Sequence, residues 1–373
     1  MVDVTENEIS LTLKRQIDDS YGILIGENLF PQLLDYIKEK FQSSRVAIIT
    51  DSNVKKVYAD ELGKFFNKSG LYSNIFSIPA GENNKTNKEC NKIQENMAIL
   101  KYGRDSLVIA LGGGMVGDMA GYIAATYCRG IPFIQYPTTL LAQTDASIGG
   151  KTGLDLKAGK NLVGAFYQPK RVFIDLATLE TLPFEEFRNG LSETIKHGVI
   201  RDRFFFNFLE NNIDSILKKD KLLLKVIAKE NCRIKGGVVE IDPEEKGLRA
   251  ILNYGHTIGH SIEKLSNYEL SHGNCISRGM MVEGRISNKL GYLSNSELAR
   301  QRRLLERVGL PITIPESINN EDIIKLTSID KKAISGNARY CLPSSIGEMN
   351  PFEGSYTTPV EKDIVLSALQ ESR

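Results

Sequence analysis

The segment Ser106-Leu-Val-Ile-Ala-Leu111 runs without a break into Gly112-Gly113-Gly114-Met-Val-Gly117-Asp118, and this junction limits the possible folds more than any other stretch. An apolar run with no polar alternation reads as a strand buried on both faces, the kind found in parallel sheets covered by helices. Glycines follow it, and Met119 to Tyr127 then reads as a helix. The neighbouring segments repeat the unit. Arg45 to Thr50 is a buried strand ending in Asp51-Ser-Asn53, a helix extends to about Lys68, Asn74 to Ile78 is a second strand, and Lys88 to Lys101 is helical. Pro132 to Tyr136 and Val172 to Asp175 add further strands, which makes a βαβ architecture. After Leu182-Pro183 the pattern changes to amphipathic helices at Leu191 to Ile200, Phe204 to Lys218, Leu222 to Lys235, Ala250 to Leu265, Gly279 to Leu290 and Ser296 to Val308, with one strand candidate at Ala338 to Leu342. The expected fold is α/β: a Rossmann-like βαβ nucleotide-binding domain over 1–183 and a mainly α-helical domain over 184–373. A chain of 373 residues suits two cores rather than one.

Charge narrows the partners. The 47 basic and 46 acidic residues nearly cancel and form no basic block, which argues against a nucleic-acid footprint or a polybasic membrane patch. No apolar run approaches the roughly 20 residues of a membrane helix, and the acidic start Met-Val-Asp-Val-Thr-Glu is unlike a secretion signal. Five cysteines at no metal-ligand spacing read as reduced thiols, so a cytoplasmic location is expected.

Three regions carry chemistry. Gly112, Gly114 and Gly117 match Gly-x-Gly-x-x-Gly between a strand and a helix, where backbone amides and a helix N-terminus suit a pyrophosphate. The usual acidic residue about 20 positions downstream is absent, but Asp51 ends an earlier strand. Next, Asp145, Lys151, Lys160 and Asn161 lie among glycines in what reads as an anion-binding loop region. Third, three of the four histidines fall between Arg249 and His272. Arg249, Asn253, His256 and His260 step by four, three and four, which on one helix lines them along a single polar face opposite Leu248, Ile251, Ile258, Ile262 and Leu265. A carboxylate with two histidines is a recurrent zinc set that leaves a coordination position open. Spacing alone leaves two pairs available, Glu193 with His197 and His256 with His260, each four apart.

At these motifs the sequence resembles the 3-dehydroquinate synthases of the sugar-phosphate cyclase superfamily, over about residues 45–350. The resemblance rests on the Gly-Gly-Gly-Met-Val-Gly-Asp118 turn, Pro-Thr-Thr-Leu-Leu-Ala-Gln, Gly-Gly-Lys151-Thr-Gly, Gly-Lys160-Asn161-Leu-Val-Gly-Ala-Phe-Tyr-Gln-Pro, Thr178-Leu-Glu-Thr-Leu-Pro183, Glu193-Thr-Ile-Lys196, Gly247-Leu-Arg249, Asn253-Tyr-Gly-His256-Thr-Ile-Gly-His260 and Asp330-Lys331-Lys332. It implies that Glu193, His256 and His272 hold a divalent metal, zinc or cobalt, while His260 meets the substrate phosphate. NAD would be lined by Asp51, Asn53, Glu82, Lys85, Gly114, Met115, Val116, Gly117, Asp118, Thr138, Thr139, Lys151, Lys160, Thr178, Leu179, Glu180 and Thr181. Asp145, Lys151, Asn161, Lys196, Lys235, Arg249, Asn253 and one of Lys331 or Lys332 would surround substrate. Arg129 would reach across a homodimer interface into the neighbouring site.

The implied reaction converts 3-deoxy-D-arabino-heptulosonate 7-phosphate into 3-dehydroquinate and phosphate. Transient oxidation by NAD, β-elimination of phosphate, re-reduction and intramolecular aldol closure would follow in one site, as a step of the shikimate pathway. Two departures stand out, because members often carry Tyr at His197 and Gly-Val-Asn at Gly153-Leu154-Asp155. The nearest rivals are another cyclase, forming 2-deoxy-scyllo-inosose or a valiolone, and a metal-dependent polyol or glycerol-1-phosphate dehydrogenase. Arg249, placed for a substrate carboxylate, argues against the first. No trusted match extends past about Asn350.

Overall fold

The computed structural model describes residues 11, 13–14, 18–41, 45–328 and 338–373. Its centre is a six-stranded sheet in the order β1-β8-β5-β4-β2-β3, every pair parallel. The strands are β1 (Gly22–Gly26), β2 (Val46–Asp51), β3 (Ser73–Ile78), β4 (Leu107–Gly112), β5 (Phe133–Pro137) and β8 (Arg171–Asp175). Helices α1 (Phe30–Lys40), α2 (Ser52–Val54), α3 (Asp60–Lys68), α4 (Asn87–Ile99) and α5 (Gly114–Thr126) connect them. Successive residues of a strand point to opposite faces. Accordingly Ala47, Ile49, Val108 and Ala110 pack with α4 and α5, whereas Val46, Ile48, Leu107, Ile109 and Leu111 pack with α1 and α3. β2 and β4 are buried throughout, as an apolar run without alternation requires.

Chain order reverses between β2 and β4: from β2 the chain goes outward to β3, then returns to the other side of β2 to form β4. In open parallel sheets a crevice opens at such a point beyond the carboxyl ends of the strands. Asp51 and the glycine turn therefore meet there.

From Phe184 the chain is mainly helical, with α6 (Phe184–Arg201), α7 (Arg203–Leu217), α8 (Lys221–Ile241), α9 (His256–Leu265), α10 (His272–Lys289), α11 (Asn295–Val308), α12 (Asn320–Ser328) and α13 (Lys362–Gln370). Short two- and three-residue strands lie between α12 and α13, and Arg339–Tyr340 supplies the strand expected around Ala338. The stretch after Asn350 is part of the core, since Val365, Ala368 and Leu369 of α13 are buried against Ile258, Val282 and Ile286.

Two expectations need correction. The single helix from Ala250 to Leu265 is broken: Leu248–Asn253 is a 3-10 turn, Gly255 turns to φ 78°, and α9 begins at His256. The break sends Ile251 and Leu252 into one apolar cluster and Ile258 and Ile262 into another. The lysine- and glycine-rich loop is an antiparallel hairpin, β6 (Lys151–Leu156) with β7 (Gly159–Phe166), lying on α5. Glycine permits this packing, because a Cβ at Gly164 would stand 2.1 Å from the Thr152 carbonyl oxygen and one at Gly121 2.4 Å from Thr152 Cγ2.

Candidate active site

A cleft of about 1190 Å3 runs from the carboxyl edge of the sheet to the N-termini of α9 and α10. It exceeds the ~300–1,000 Å3 of a typical single-ligand pocket.

Three candidate metal ligands meet at its floor, His256 and His272 in the lining and Glu193 buried behind them. Glu193 comes from the buried middle of α6, and His256 and His272 are the first residues of α9 and α10. Their ligand atoms lie within 4.8 Å of one another. His256 Nδ1 donates to the Tyr254 carbonyl (3.1 Å), which leaves Nε2 facing Glu193 Oε1 at 3.7 Å, and His272 Nε2 faces the same oxygen at 3.5 Å. Oε2 of Glu193 is ion-paired with Lys196, but Oε1 is fully buried and has no hydrogen-bond partner among the described residues. A carboxylate and two imidazoles with lone pairs converging on one point fit zinc or cobalt with a position left open. His256 and His260, the pair suggested by spacing, have ring centres 5.1 Å apart but fall in different three-ligand groups among the described residues, His260 with Glu263 and His272. Burial disfavours the His272 imidazolium, but Glu193 and Glu263 outweigh it and raise the pKa to about 9. A divalent cation would take the place of that proton. Burial also opposes ionisation of Glu193, yet Lys196 and His272 hold its pKa low.

The placing of these ligands depends on local backbone. Glu283 of α10, itself buried, accepts from Gly255 N (2.8 Å) and Ile258 N (3.3 Å), so a carboxylate satisfies the first turn of α9 and fixes His256. His197 lies on the same helix as Glu193 and meets Asn231 (Nδ1 to Oδ1, 2.7 Å) and Asp145 (Nε2 to Oδ1, 3.5 Å), so the other pair suggested by spacing, Glu193 with His197, falls with Asp145 in a further three-ligand group.

Cations line the middle of the cleft. Lys235 Nζ donates to the Asp145 carbonyl (2.6 Å) and stands 2.8 Å from its carboxylate. Arg249 donates to Gly149 O at 3.0 Å and Pro243 O at 2.5 Å, while its own amide is held by Asp242. Lys151 is ion-paired with Glu245, and Asn253 Nδ2 donates to the same carboxylate at 2.8 Å. Burial and repulsion from the Arg249 and Lys235 cations lower Lys151 to about 8 despite Glu245. Burial likewise lowers Lys235 and Arg249. Crowded, partly desolvated cations of this kind favour an anionic ligand.

On the sheet side, Asp51 Oδ1 accepts from Asn53 N (2.7 Å) and Val54 N (3.0 Å), and α5 starts at Gly114. Lys85 bridges Asp118 and Asn161, at 2.7 Å each, and Asp118 and Glu82 raise its pKa against the effect of burial. Asp155 accepts from Asn161 N at 2.8 Å and so holds the hairpin turn, where Asn161 has φ 52°; an Asn at that position has the same acceptor without the charge. Thr138, Thr139, Met115, Val116, Thr178 and Thr181 also line the cleft.

Other expected residues lie elsewhere. Gly117 is buried beneath Gln135, where a Cβ would stand 2.8 Å from Oε1, so its role is close packing. Leu179 is in the core and Glu180 pairs with Lys221 at 2.9 Å, so neither side chain faces the cleft. Arg129 is exposed in the turn after α5, outside the lining. Lys331 and Lys332 fall outside the described residues. Sequence reasoning missed Tyr58, Glu245, Glu263 and Tyr268, which line the cleft, and Glu283, which does not. Two of them stood beside recognised motifs, Glu263 one turn beyond His260 and Glu245 two residues before Gly247.

Comparisons with known proteins fall on the same region. The family model described as 3-dehydroquinate synthase N-terminal matches residues 75–189, and 3-dehydroquinate synthase C-terminal matches 190–333. A 3-dehydroquinate synthase from Desulforamulus reducens is 44% identical over 335 residues, covering 90% of this chain and 93% of that protein. Among solved structures, a 2-deoxy-scyllo-inosose synthase complexed with carbaglucose-6-phosphate, NAD+ and Co2+ is 28% identical with a TM-score of 0.86, over 94% of this chain and 96% of that one. A 2-epi-5-epi-valiolone synthase from Streptomyces hygroscopicus with NAD+ and Zn2+ bound has a TM-score of 0.88 at 23% identity, over 97% and 99% of the two chains, and shares the fold.

Proposed function

The chain belongs to the 3-dehydroquinate synthase family, and from that premise we propose that its cleft converts 3-deoxy-D-arabino-heptulosonate 7-phosphate into 3-dehydroquinate and phosphate. The observation that carries the reading is the meeting, in one cleft, of Arg249, Lys151, Lys235 and Lys196 with the Glu193, His256 and His272 set. A substrate with a carboxylate at one end and a phosphate at the other needs cations at both. Arg249 would take the carboxylate, and His260 with lysine partners the phosphate. The runner-up, a cyclase acting on a sugar phosphate without a carboxylate, leaves Arg249 without its ligand.

When bound, NAD supplies a reversible hydride acceptor and zinc or cobalt a Lewis acid that polarises a substrate hydroxyl. The nucleotide would lie along the switch-point crevice from Asp51 and Asn53 past Gly114 to Thr138 and Thr178, with Glu82, Lys85, Asp118 and Lys160 beside it. Glu193, His256 and His272 would hold the metal. Lys196 stays charged beside Glu193, because that carboxylate and Asp145 raise its pKa against burial. Asp145, fixed by Lys235 and His197, offers a carboxylate to a substrate hydroxyl. Asn161 and Asn253 complete the polar wall, and the hairpin β6–β7 forms one side of the cleft. Holding the opened intermediate in one orientation favours ring closure over side reactions.

Our reading keeps the division near Pro183, a cytoplasmic location and a homodimer in which Arg129 serves the neighbouring site. No helix among the described residues is long and apolar enough to cross a membrane. The deciding assay is phosphate release from the heptulosonate phosphate with catalytic NAD, followed by identification of the carbocycle. Turnover of glucose 6-phosphate instead, or net NADH from a polyol, would overturn the assignment.

A further inference from the structure

Glu263 is 4% exposed, and its two carboxylate oxygens face two different parts of the site. Oε1 lies 2.9 Å from Nζ of Lys160, near the turn of the hairpin β6–β7. Oε2 lies 3.8 Å from Nδ1 of His272, whose other nitrogen faces Glu193. Lys160 is anchored in turn: its ammonium sits 4.6 Å over the Tyr268 ring centre and 3.6 Å from Glu82. A carboxylate with one oxygen committed to an anchored ammonium cannot rotate freely, so the direction of the second oxygen is set by Lys160. That oxygen is at ion-pair distance from the His272 ring rather than in a hydrogen bond. A cation on Nε2 makes Nδ1–H a stronger donor, and a ligating histidine commonly gives that proton to a carboxylate.

We propose that Glu263 is a positioning residue for the metal centre, held in register by Lys160 so that its second oxygen orients His272 from behind. The inference rests on the reading of Glu193, His256 and His272 as ligands. It makes the hairpin, which contacts the nucleotide side of the cleft, part of what sets metal affinity. A purely electrostatic effect predicts a different pattern. Removing the Lys160 cation would then tighten binding of a divalent ion, whereas a positioning role predicts that it loosens.

The test is Co2+ affinity by chelator competition on the full chain without NAD, with the Co2+ absorption spectrum and the melting temperature of the metal-free protein recorded alongside. Glu263→Gln is expected to weaken Co2+ binding by about tenfold to a hundredfold and to shift the spectrum. Glu263→Asp keeps the charge but loses reach, and should weaken it too. Lys160→Met should weaken it several-fold, Lys160→Arg should largely restore it, and Lys160→Met should add nothing in the Glu263→Gln background. Wild-type affinity in both Glu263 variants, tighter binding in Lys160→Met, or additive losses in the double variant would each overturn the inference. Glu193→Gln separates the two levels. If it binds Co2+ like wild type, the ligand assignment fails and this inference with it; if it loses the metal while the Glu263 variants do not, only the inference fails.

Discussion

Lys151 shows how far a single charge here depends on its neighbours. Burial, Arg249 and Lys235 all disfavour its ammonium, and with Glu245 opposing them the pKa is about 8. If that ammonium binds the anionic substrate, kcat/KM should fall as pH rises through about 8. Lys151→Arg should move the descending limb to higher pH, because a guanidinium stays charged. An unmoved limb in a pH–rate profile would remove Lys151 from the role. Stability has the opposite sign: between about 8 and the usual lysine range the unfolded chain binds more protons at this position, so its contribution rises with pH. The histidines separate by the same reasoning. His256→Ala should remove both metal content and turnover, whereas His260→Ala should retain metal, measured by elemental analysis, and lose turnover or raise KM. Metal loss in His260→Ala would favour the alternative group of His260, Glu263 and His272. These histidines were legible because four in the chain, three of them clustered, is a rare pattern. Glu245, Glu263 and Glu283 were not, because 46 acidic residues look alike until a distant partner singles one out.

The proposed ligands His256 and His272 begin α9 and α10, and glycine sets how closely these two helices approach. A Cβ at Gly279 would stand 1.9 Å from the Gly255 carbonyl oxygen, and one at Gly255, where φ is 78°, would stand 2.9 Å from Met280 N. Neither neighbour is a flexible side-chain tip. Gly279→Ala should therefore cost at least the top of the ~1–3 kcal/mol range for overpacking. Because His256 and His272 begin these two helices, it should weaken Co2+ binding as well as lower the melting temperature. Gly236→Ala in α8, with nothing within 4 Å, is the control and should be neutral or stabilise by up to ~1 kcal/mol. Equal melting temperatures for the two variants would contradict the packing argument. Glycine also explains what could be read at this scale. The strand, turn and helix around Gly112 are local in sequence, and their pattern was sufficient. The stripe from Arg249 to His260 correctly gathered residues that share the cleft, but not the helix: a left-handed Gly255 separates a 3-10 turn from α9 while Arg249, Asn253, His256 and His260 all line the cleft. The hairpin was missed because lysines, Asn161 and three glycines hide its β pattern, and it is held by packing on α5, which is distant in sequence.

At the scale of the whole molecule, Arg129 lies outside the lining of its own cleft. The cleft opens at the carboxyl ends of the strands, and Arg129 stands in the turn before β5, at their amino ends. Five residues of β5, at about 3.3 Å each, put the two edges roughly 16 Å apart. Its guanidinium is exposed and has no ion-pair partner among the described residues. These facts suit a residue that completes the cleft of a second copy across a two-fold axis. Arg129→Ala should then bind NAD and metal normally and fail in turnover, and Lys151→Ala should also fail in turnover, by loss of a residue within its own cleft. When the two inactive proteins are unfolded together and refolded, half of the dimers should contain one chain of each kind. In such a dimer the Arg129→Ala chain keeps its own Lys151 and receives Arg129 from its partner, while the other site lacks both. One competent site in half of the dimers gives about a quarter of wild-type activity. A mixture that stays inactive, while wild-type protein treated identically recovers, would show that Arg129 acts within its own chain or not in catalysis.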